Sequence, residues 1–291
     1  MNKPRVAILG LGLMGSGMAG RLLTAGFPLA VYNRNPEKTA PFAKAGAFVG
    51  RTPREAAARA DVIISMLADD NASRAVWLDK DSGALAGAAP GTSLLESSTV
   101  SVGWIHELAA AAAKRECELL DAPVTGSKPQ AASGELLFLG GGSDAALAAV
   151  RPVLAVMSRD VVHLGPTGSG AVLKLVNNFL CGVQAASLAE AMALVAASGL
   201  DREKSAAVLT GGAPGSPLVK LLTTRAASGD FTPNFVLRLM AKDLAYARAE
   251  GERRGLTMQT ATAAGEVFQQ AIKAGYGDQD FSAVIPALQK H

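Results

Sequence analysis

The chain has 291 residues, with 28 Lys and Arg against 25 Asp and Glu, a formal net charge of +3, and a composition that is 49% hydrophobic but only 5% aromatic. Basic and acidic residues are interspersed along the whole length and aromatics are sparse, so the chain offers nucleic acid neither an electrostatic track nor a stacking platform. Cys117 and Cys181 are too few for a disulfide framework, His106, His163 and His291 lack metal-ligand spacing, and no apolar run reaches the roughly 18 uninterrupted residues of a membrane span. A soluble enzyme of the reducing cytoplasm, with no metal, is expected, and the length suggests two domains. Lys3 and Arg5 ahead of Val6-Ala7-Ile8-Leu9 imitate a secretion signal, but the glycines that follow do not belong to one.

From the N-terminus, short β-branched runs alternate with Ala-rich helical ones, the pattern of βαβ units around a largely parallel sheet. It predicts strands at residues 5–9, 29–33, 62–66, 92–96, 119–124, 136–140 and 161–164, with helices at 15–25, 53–60, 102–115 and 143–157. After Gly165-Pro166-Thr167-Gly168 the strand signal ends, and helical periodicity broken by Gly and Pro clusters continues. The expected class is α/β: a Rossmann-type doubly wound sheet domain over residues 1–165, then an all-helical domain over 166–291 that begins with a long interdomain helix.

Gly10-Leu11-Gly12-Leu13-Met14-Gly15 follows the first strand and opens a helix, the context that gives a dinucleotide fingerprint its meaning. Gly10 permits the tight turn, Gly12 admits the pyrophosphate to the backbone, Gly15 lets helix and strand pack closely, and the helix N-terminus faces the anion. The second strand ends in Tyr32-Asn33-Arg34-Asn35, without a carboxylate for a ribose 2′-hydroxyl. Arg34 can instead pair with a 2′-phosphate, so NADP is preferred, with NAD admissible. Asn33, Asn35, Met66 and Leu67 complete the expected cofactor contacts on this edge.

Further on, Asp121-Ala122-Pro123-Val124-Thr125-Gly126-Ser127 leaves a strand in a turn whose backbone N–H groups and hydroxyls can cradle a carboxylate. Gly168 to Asn178 then plants Lys174 and Asn178 one turn apart on an apolar helix. An amine among Ala, Val and Leu is either paired or held for chemistry. Other polar features read as ordinary: Asp69 and Asp70 as a solvated loop, Trp77 and Trp104 as cover for packing seams, and Arg248 to Arg254 as a solvent-facing helix.

These motifs, in this order over nearly the whole length, resemble the β-hydroxyacid dehydrogenase family, which includes 3-hydroxyisobutyrate dehydrogenase, tartronate semialdehyde reductase and the glyoxylate/succinic semialdehyde reductases. The matching residues are the Gly10 to Gly15 entry, Ser98-Thr99, Asp121 to Gly126, Gly168 to Asn178 and Lys242-Asp243-Leu244. The resemblance implies that Lys174 is the catalytic lysine and Asn178 its orienting amide. It implies further that Thr125, Gly126 and Ser127 grip the substrate carboxylate, that Thr99 and Lys242 contact the cofactor, and that Phe235 and Asp243 wall the substrate pocket. The implied reaction is hydride exchange between a nicotinamide cofactor and a small carboxylate-bearing aldehyde or hydroxy acid, in a homodimer or homotetramer.

Thr125-Gly126-Ser127 and Ser101-Val102-Gly103 depart from the family's usual wording, while Lys128-Pro129 and Ser216 to Lys220 lean towards the glyoxylate and succinic semialdehyde reductases. An NAD-dependent 3-hydroxyisobutyrate or tartronate semialdehyde enzyme is the runner-up. A non-catalytic cofactor-binding module and an imine reductase rank lower, since both would dispense with Lys174.

Overall fold

Short strands with aliphatic centres build the first sheet: β1 (Val6–Leu9), β2 (Leu29–Tyr32), the two-residue β3 (Phe48–Val49), β4 (Val62–Ser65), β5 (Ser93–Glu96) and β6 (Glu118–Asp121). All pair in parallel in the order β3-β2-β1-β4-β5-β6. Every residue of β1 and β4 is buried, which is why these strands read as continuous apolar runs rather than alternating ones. The order reverses direction between β1 and β4, so their carboxyl ends mark the crevice where doubly wound sheets bind ligands.

The computed structural model describes residues 3–289 and separates into two units that meet in sequence between Lys174 and Leu175. In the first unit, the run expected as one strand over 119–124 is split. Ala122 N–H still donates to Glu96 of β5, but Pro123 has no N–H to give, and its carbonyl accepts from Leu139 instead. The chain thereby steps into a second sheet of β7 (Val124–Thr125), β8 (Leu136–Gly140) and β9 (Ser158–His163). Helices start where hydroxyl caps stand: Ser101 Oγ accepts from Trp104 N–H, and Ser143 Oγ from Ala146 N–H.

Asp69 and Asp70 are not a solvated loop. Asp69 caps the Asp70–Leu78 helix by accepting from Ala72 N–H at 2.8 Å, and Asp70 accepts both N–H and hydroxyl of Ser101 at 2.8 and 2.5 Å. Between Arg248 and Arg254, by contrast, the expected charged face is present, with Glu250 paired to both Arg253 and Arg254.

The chain leaves the first unit within one 29-residue helix, Ser169–Ala197. Length and apolar composition alone would let it cross a membrane. Its later turns supply Ala185, Ala186, Leu188, Ala189 and Met192 to the core of the second unit, which accounts for that composition. There they join Leu237, Met240 and Leu244 of the Leu237–Arg253 helix and Val267 and Phe268 of Gln259–Ala271. Among the described residues no strand follows His163.

The first turn of this helix is held by Asp121 at the end of β6. Its Oδ1 accepts from Gly168 N–H at 2.7 Å and its Oδ2 from Ala171 N–H at 2.8 Å, while its backbone pairs with Gly141. A Cβ at Gly170 would stand 2.1 Å from the Leu139 carbonyl oxygen, and one at Gly141 would stand 2.5 Å from the Asp121 carboxylate. Only glycine fits at either place. Burial pushes the Asp121 carboxyl from 3.8 up to about 6 against the pull of these N–H donors.

Between about pH 4 and 6 the folded chain therefore holds a proton that the unfolded chain has lost. Stability from this group is complete below its unfolded value and declines as pH rises through about 6, by roughly 3 kcal/mol in all. Urea unfolding should show the chain losing that amount relative to Asp121→Asn between about pH 4 and 6, with a constant difference above about pH 7. A difference independent of pH would refute the buried titration.

Candidate active site

At the carboxyl end of β1 the glycines have distinct reasons to be there. Gly10 sits at φ 103°, and a Cβ on it would lie 2.4 Å from the Met66 carbonyl oxygen and 2.9 Å from Leu67 Cδ2. A Cβ on Gly15 would lie 2.0 Å from the Gly10 carbonyl oxygen, so the Leu13–Thr24 helix can approach the loop only without one. Gly12 is exposed and a Cβ there would meet nothing within 4 Å; it is the N-cap, no side chain caps its helix, and no acidic residue occupies the first turn. Two glycines close the turn and the third keeps backbone open to an anion, so this loop fits a dinucleotide.

Asn33 fixes the neighbouring edge. Its Oδ1 accepts from Leu11 N–H at 2.9 Å, and its Nδ2 donates to the Asn35 carbonyl at 2.8 Å. Asn35 Oδ1 in turn accepts from Glu37 N–H at 3.0 Å, opening a short 3-10 turn at Pro36–Thr39. Arg34 is left exposed at the tip, while Leu11 is buried and supports the loop from beneath. Leu13 is exposed, and Met14, Met66, Leu67 and Thr99 are partly buried around this crevice.

Thr125 is half-buried in β7 and Gly126 is exposed at φ 107°, a conformation that favours glycine. Ser127 is the N-cap of the Lys128–Ser133 helix in a capping box, where its N–H and hydroxyl both donate to Gln130 Oε1 at 2.9 Å. That hydroxyl was expected to face a substrate carboxylate, but here it serves the turn. The signal was present in Ser127-x-x-Gln130.

On the Ser169–Ala197 helix, Lys174 and Asn178 share one face, and both are buried at 9% and 4% exposure. In the second unit Asn178 Nδ2 donates to Asp243 Oδ2 at 2.5 Å, and Asn178 Oδ1 accepts from Asn177 Nδ2 at 2.9 Å. Both ends of the amide are thus fixed. Asp243, 1% exposed, also forms an ion pair with Lys242 Nζ at 3.0 Å, and that ammonium stands 4.9 Å from the Tyr246 ring centroid.

Phe235 is set by a carboxylate that sequence reading passed over. Asp280, 1% exposed, accepts from the N–H groups of Asn234 and Phe235 at 2.9 and 3.1 Å and pairs with Arg225 at 3.3 Å. The Phe235 ring meets Phe281 edge-on at 5.6 Å.

The chain is similar to known proteins along nearly its whole length. Residues 5–165 match the family model described as the NAD binding domain of 6-phosphogluconate dehydrogenase, and residues 168–288 match that described as NAD-binding of NADP-dependent 3-hydroxyisobutyrate dehydrogenase. The chain is 37% identical over 287 residues to NAD-dependent L-serine dehydrogenase of Pseudomonas aeruginosa, covering 96% of each. It is 33% identical to glyoxylate/succinic semialdehyde reductase 1 of Arabidopsis thaliana, covering 98% of each. Among solved structures, 3-hydroxyisobutyrate dehydrogenase of Mycobacterium tuberculosis with L-serine superposes with a TM-score of 0.88 at 34% identity, over 99% of both chains. With a glycine loop shaped for a dinucleotide, a buried lysine one turn from a doubly anchored amide, and these matches along its length, the chain belongs to the β-hydroxyacid dehydrogenase family.

Proposed function

We propose that the protein is a soluble, NADP-dependent enzyme that interconverts a short semialdehyde or 2-oxo acid of the glyoxylate or succinic semialdehyde type with its hydroxy acid, and that Lys174 is the proton donor and acceptor. The observation that carries this reading is the burial of Lys174 on the face it shares with Asn178. A bound nicotinamide supplies the hydride in reduction and takes it in oxidation. In reduction the Lys174 ammonium gives its proton to the oxygen of the developing alkoxide, and in oxidation the neutral amine removes the hydroxyl proton. Asn178 does not titrate; its fixed amide orients, with the second N–H of Nδ2 free to turn towards substrate. Thr125 and the Gly126 N–H hold the substrate carboxylate, and Phe235 and Asp243 line the pocket. Lys242 joins the cofactor contacts, with Asp243 as its counter-ion.

For the cofactor, the absence of a carboxylate in Tyr32-Asn33-Arg34-Asn35 and the exposure of Arg34 support the 2′-phosphate. The exposed Leu180 and Leu194 on the long helix support a homodimer or homotetramer. The competing reading is an NAD-dependent enzyme acting on 3-hydroxyisobutyrate or L-serine, the substrates in the names of two relatives, of which the L-serine enzyme is named as NAD-dependent.

Lys174→Ala should lower kcat by about 10² to 10⁴-fold with the dissociation constant of NADPH unchanged; an active variant would end the assignment. Arg34→Ala should raise KM for NADPH about 10 to 100-fold and leave NADH alone. Steady-state rates on glyoxylate, succinic semialdehyde, 3-hydroxyisobutyrate and L-serine, each with both cofactors, decide between the readings. Preference for NAD with either of the last two would overturn ours.

A further inference from the structure

Glu96 closes β5 with no exposed surface, in a strand otherwise made of Ser93, Leu94 and Leu95. A carboxylate there is expensive unless every lone pair is used. Its Oε1 accepts from the N–H of Ser98 at 2.9 Å. Its Oε2 accepts from Trp77 Nε1 at 3.0 Å and from the Ser73 hydroxyl, and Ser73 Oγ itself accepts from Trp104 Nε1 at 2.8 Å. The chain has two tryptophans, and the indole N–H of each enters this network. Two helices, Asp70–Leu78 and Val102–Ala113, are thereby tied to one side chain.

What the network fixes lies at the carboxyl edge of the sheet. Ser98, whose N–H is held by Glu96, takes the Leu67 N–H on its own Oγ at 2.7 Å. Leu67 and Met66 in turn are the atoms that crowd the space beside Gly10. A line of direct contacts therefore runs from Glu96 through Ser98 to Leu67 and the dinucleotide loop. An adenosine half that extends from this loop towards β2 and Arg34 leaves the other half of the cofactor to cross β4 and β5, the strands that Met66-Leu67 and Ser98-Thr99 follow.

We propose that Glu96 is a positioning residue for the nicotinamide half of the cofactor, acting by holding the Ser98-Thr99 and Met66-Leu67 loops in register with each other. A residue that served only the core would be apolar here, since an aliphatic side chain fills the same volume without desolvating a charge. The role is narrower than stability: it fixes two backbone segments on the ligand side of the sheet. The inference rests on the dehydrogenase reading above.

The test compares Glu96→Gln, Ser98→Ala and the double variant in the full chain. Glutamine offers one acceptor oxygen, so it turns an NH2 group against either the Ser98 N–H or the Trp77 and Ser73 donors. Ser98→Ala breaks only the step to Leu67. Each variant should bind NADPH about tenfold more weakly, with KM for the aldehyde unchanged. The double variant should lose little beyond Glu96→Gln, because both changes cut one line of contacts. Oxidised cofactor, which does not absorb tryptophan emission, should shift the fluorescence of Trp77 and Trp104 in the parent chain, and this response should shrink in Glu96→Gln. Wild-type cofactor affinity in both single variants, with only the melting temperature lowered, would overturn the proposal, as would losses that multiply in the double variant. If Glu96→Gln does not fold, Ser98→Ala decides by the same affinity measurement. A parent chain that binds neither NADPH nor NADH would instead remove the dehydrogenase reading on which the proposal rests.

Discussion

The cap that Asp121 places on the Ser169–Ala197 helix is the constraint on which the geometry of the proposed catalytic lysine depends. A helix begins with unsatisfied N–H groups, and here Gly168, Gly170 and Ala171 at its start are buried, where those groups need partners from the protein. One carboxylate satisfies Gly168 and Ala171, 47 and 50 residues away in sequence. Lys174 lies one turn beyond Ala171, so the rotation and height of its side chain are inherited from this contact. Residues 122 to 127 continue directly from Asp121 into β7 and the turn at Gly126. The loop assigned to the substrate and the lysine assigned to the proton therefore share one anchor, and Gly141 and Gly170 are glycines because that anchor leaves no room for a Cβ.

What the sequence made legible was local. The Gly10 to Gly15 loop, the runs of β1, β2, β4 and β5 and the Lys174 and Asn178 pair all express themselves within a few residues, and each stands where its spacing puts it. Long-range hydrogen bonding was not legible. Asp121 reads as part of a substrate turn, Glu96 as the end of a strand, and Asp280 as nothing in particular, because their partners lie tens of residues away and leave no periodicity. The split at Pro123 and the capping by Ser127 and Asp69 were within reach: a proline cannot continue a ladder, Ser127 has Gln130 three places on, and Asp69 directly precedes a helical run. The two-residue β3 is too short to carry a pattern.

In the second unit the buried charges argue in the same direction. Asp243 and Lys242 are an ion pair with little exposure, a feature that seldom stabilises a fold over apolar residues of the same size. The pair does determine where Asn178 points. With Asp243 on its Nδ2 and Asn177 on its Oδ1, the amide cannot flip without placing donor against donor and acceptor against acceptor. An amide held this way has a fixed alignment, which is what the orienting role proposed for Asn178 requires of a residue that cannot itself exchange protons.

The engagement of Ser127 with Gln130 bears on specificity. With that hydroxyl committed to the turn, the donors left to the loop are Thr125 and backbone N–H groups, which under the proposed function would meet the carboxylate that all short hydroxy acids share. A site anchored in that way orients many substrates alike and separates them only by what meets the opposite end. Apolar contact there is worth about 1 to 3 kcal/mol per methylene, enough for a preference among chain lengths and too little for exclusion. Stronger discrimination requires a polar group fixed against the substrate's far end.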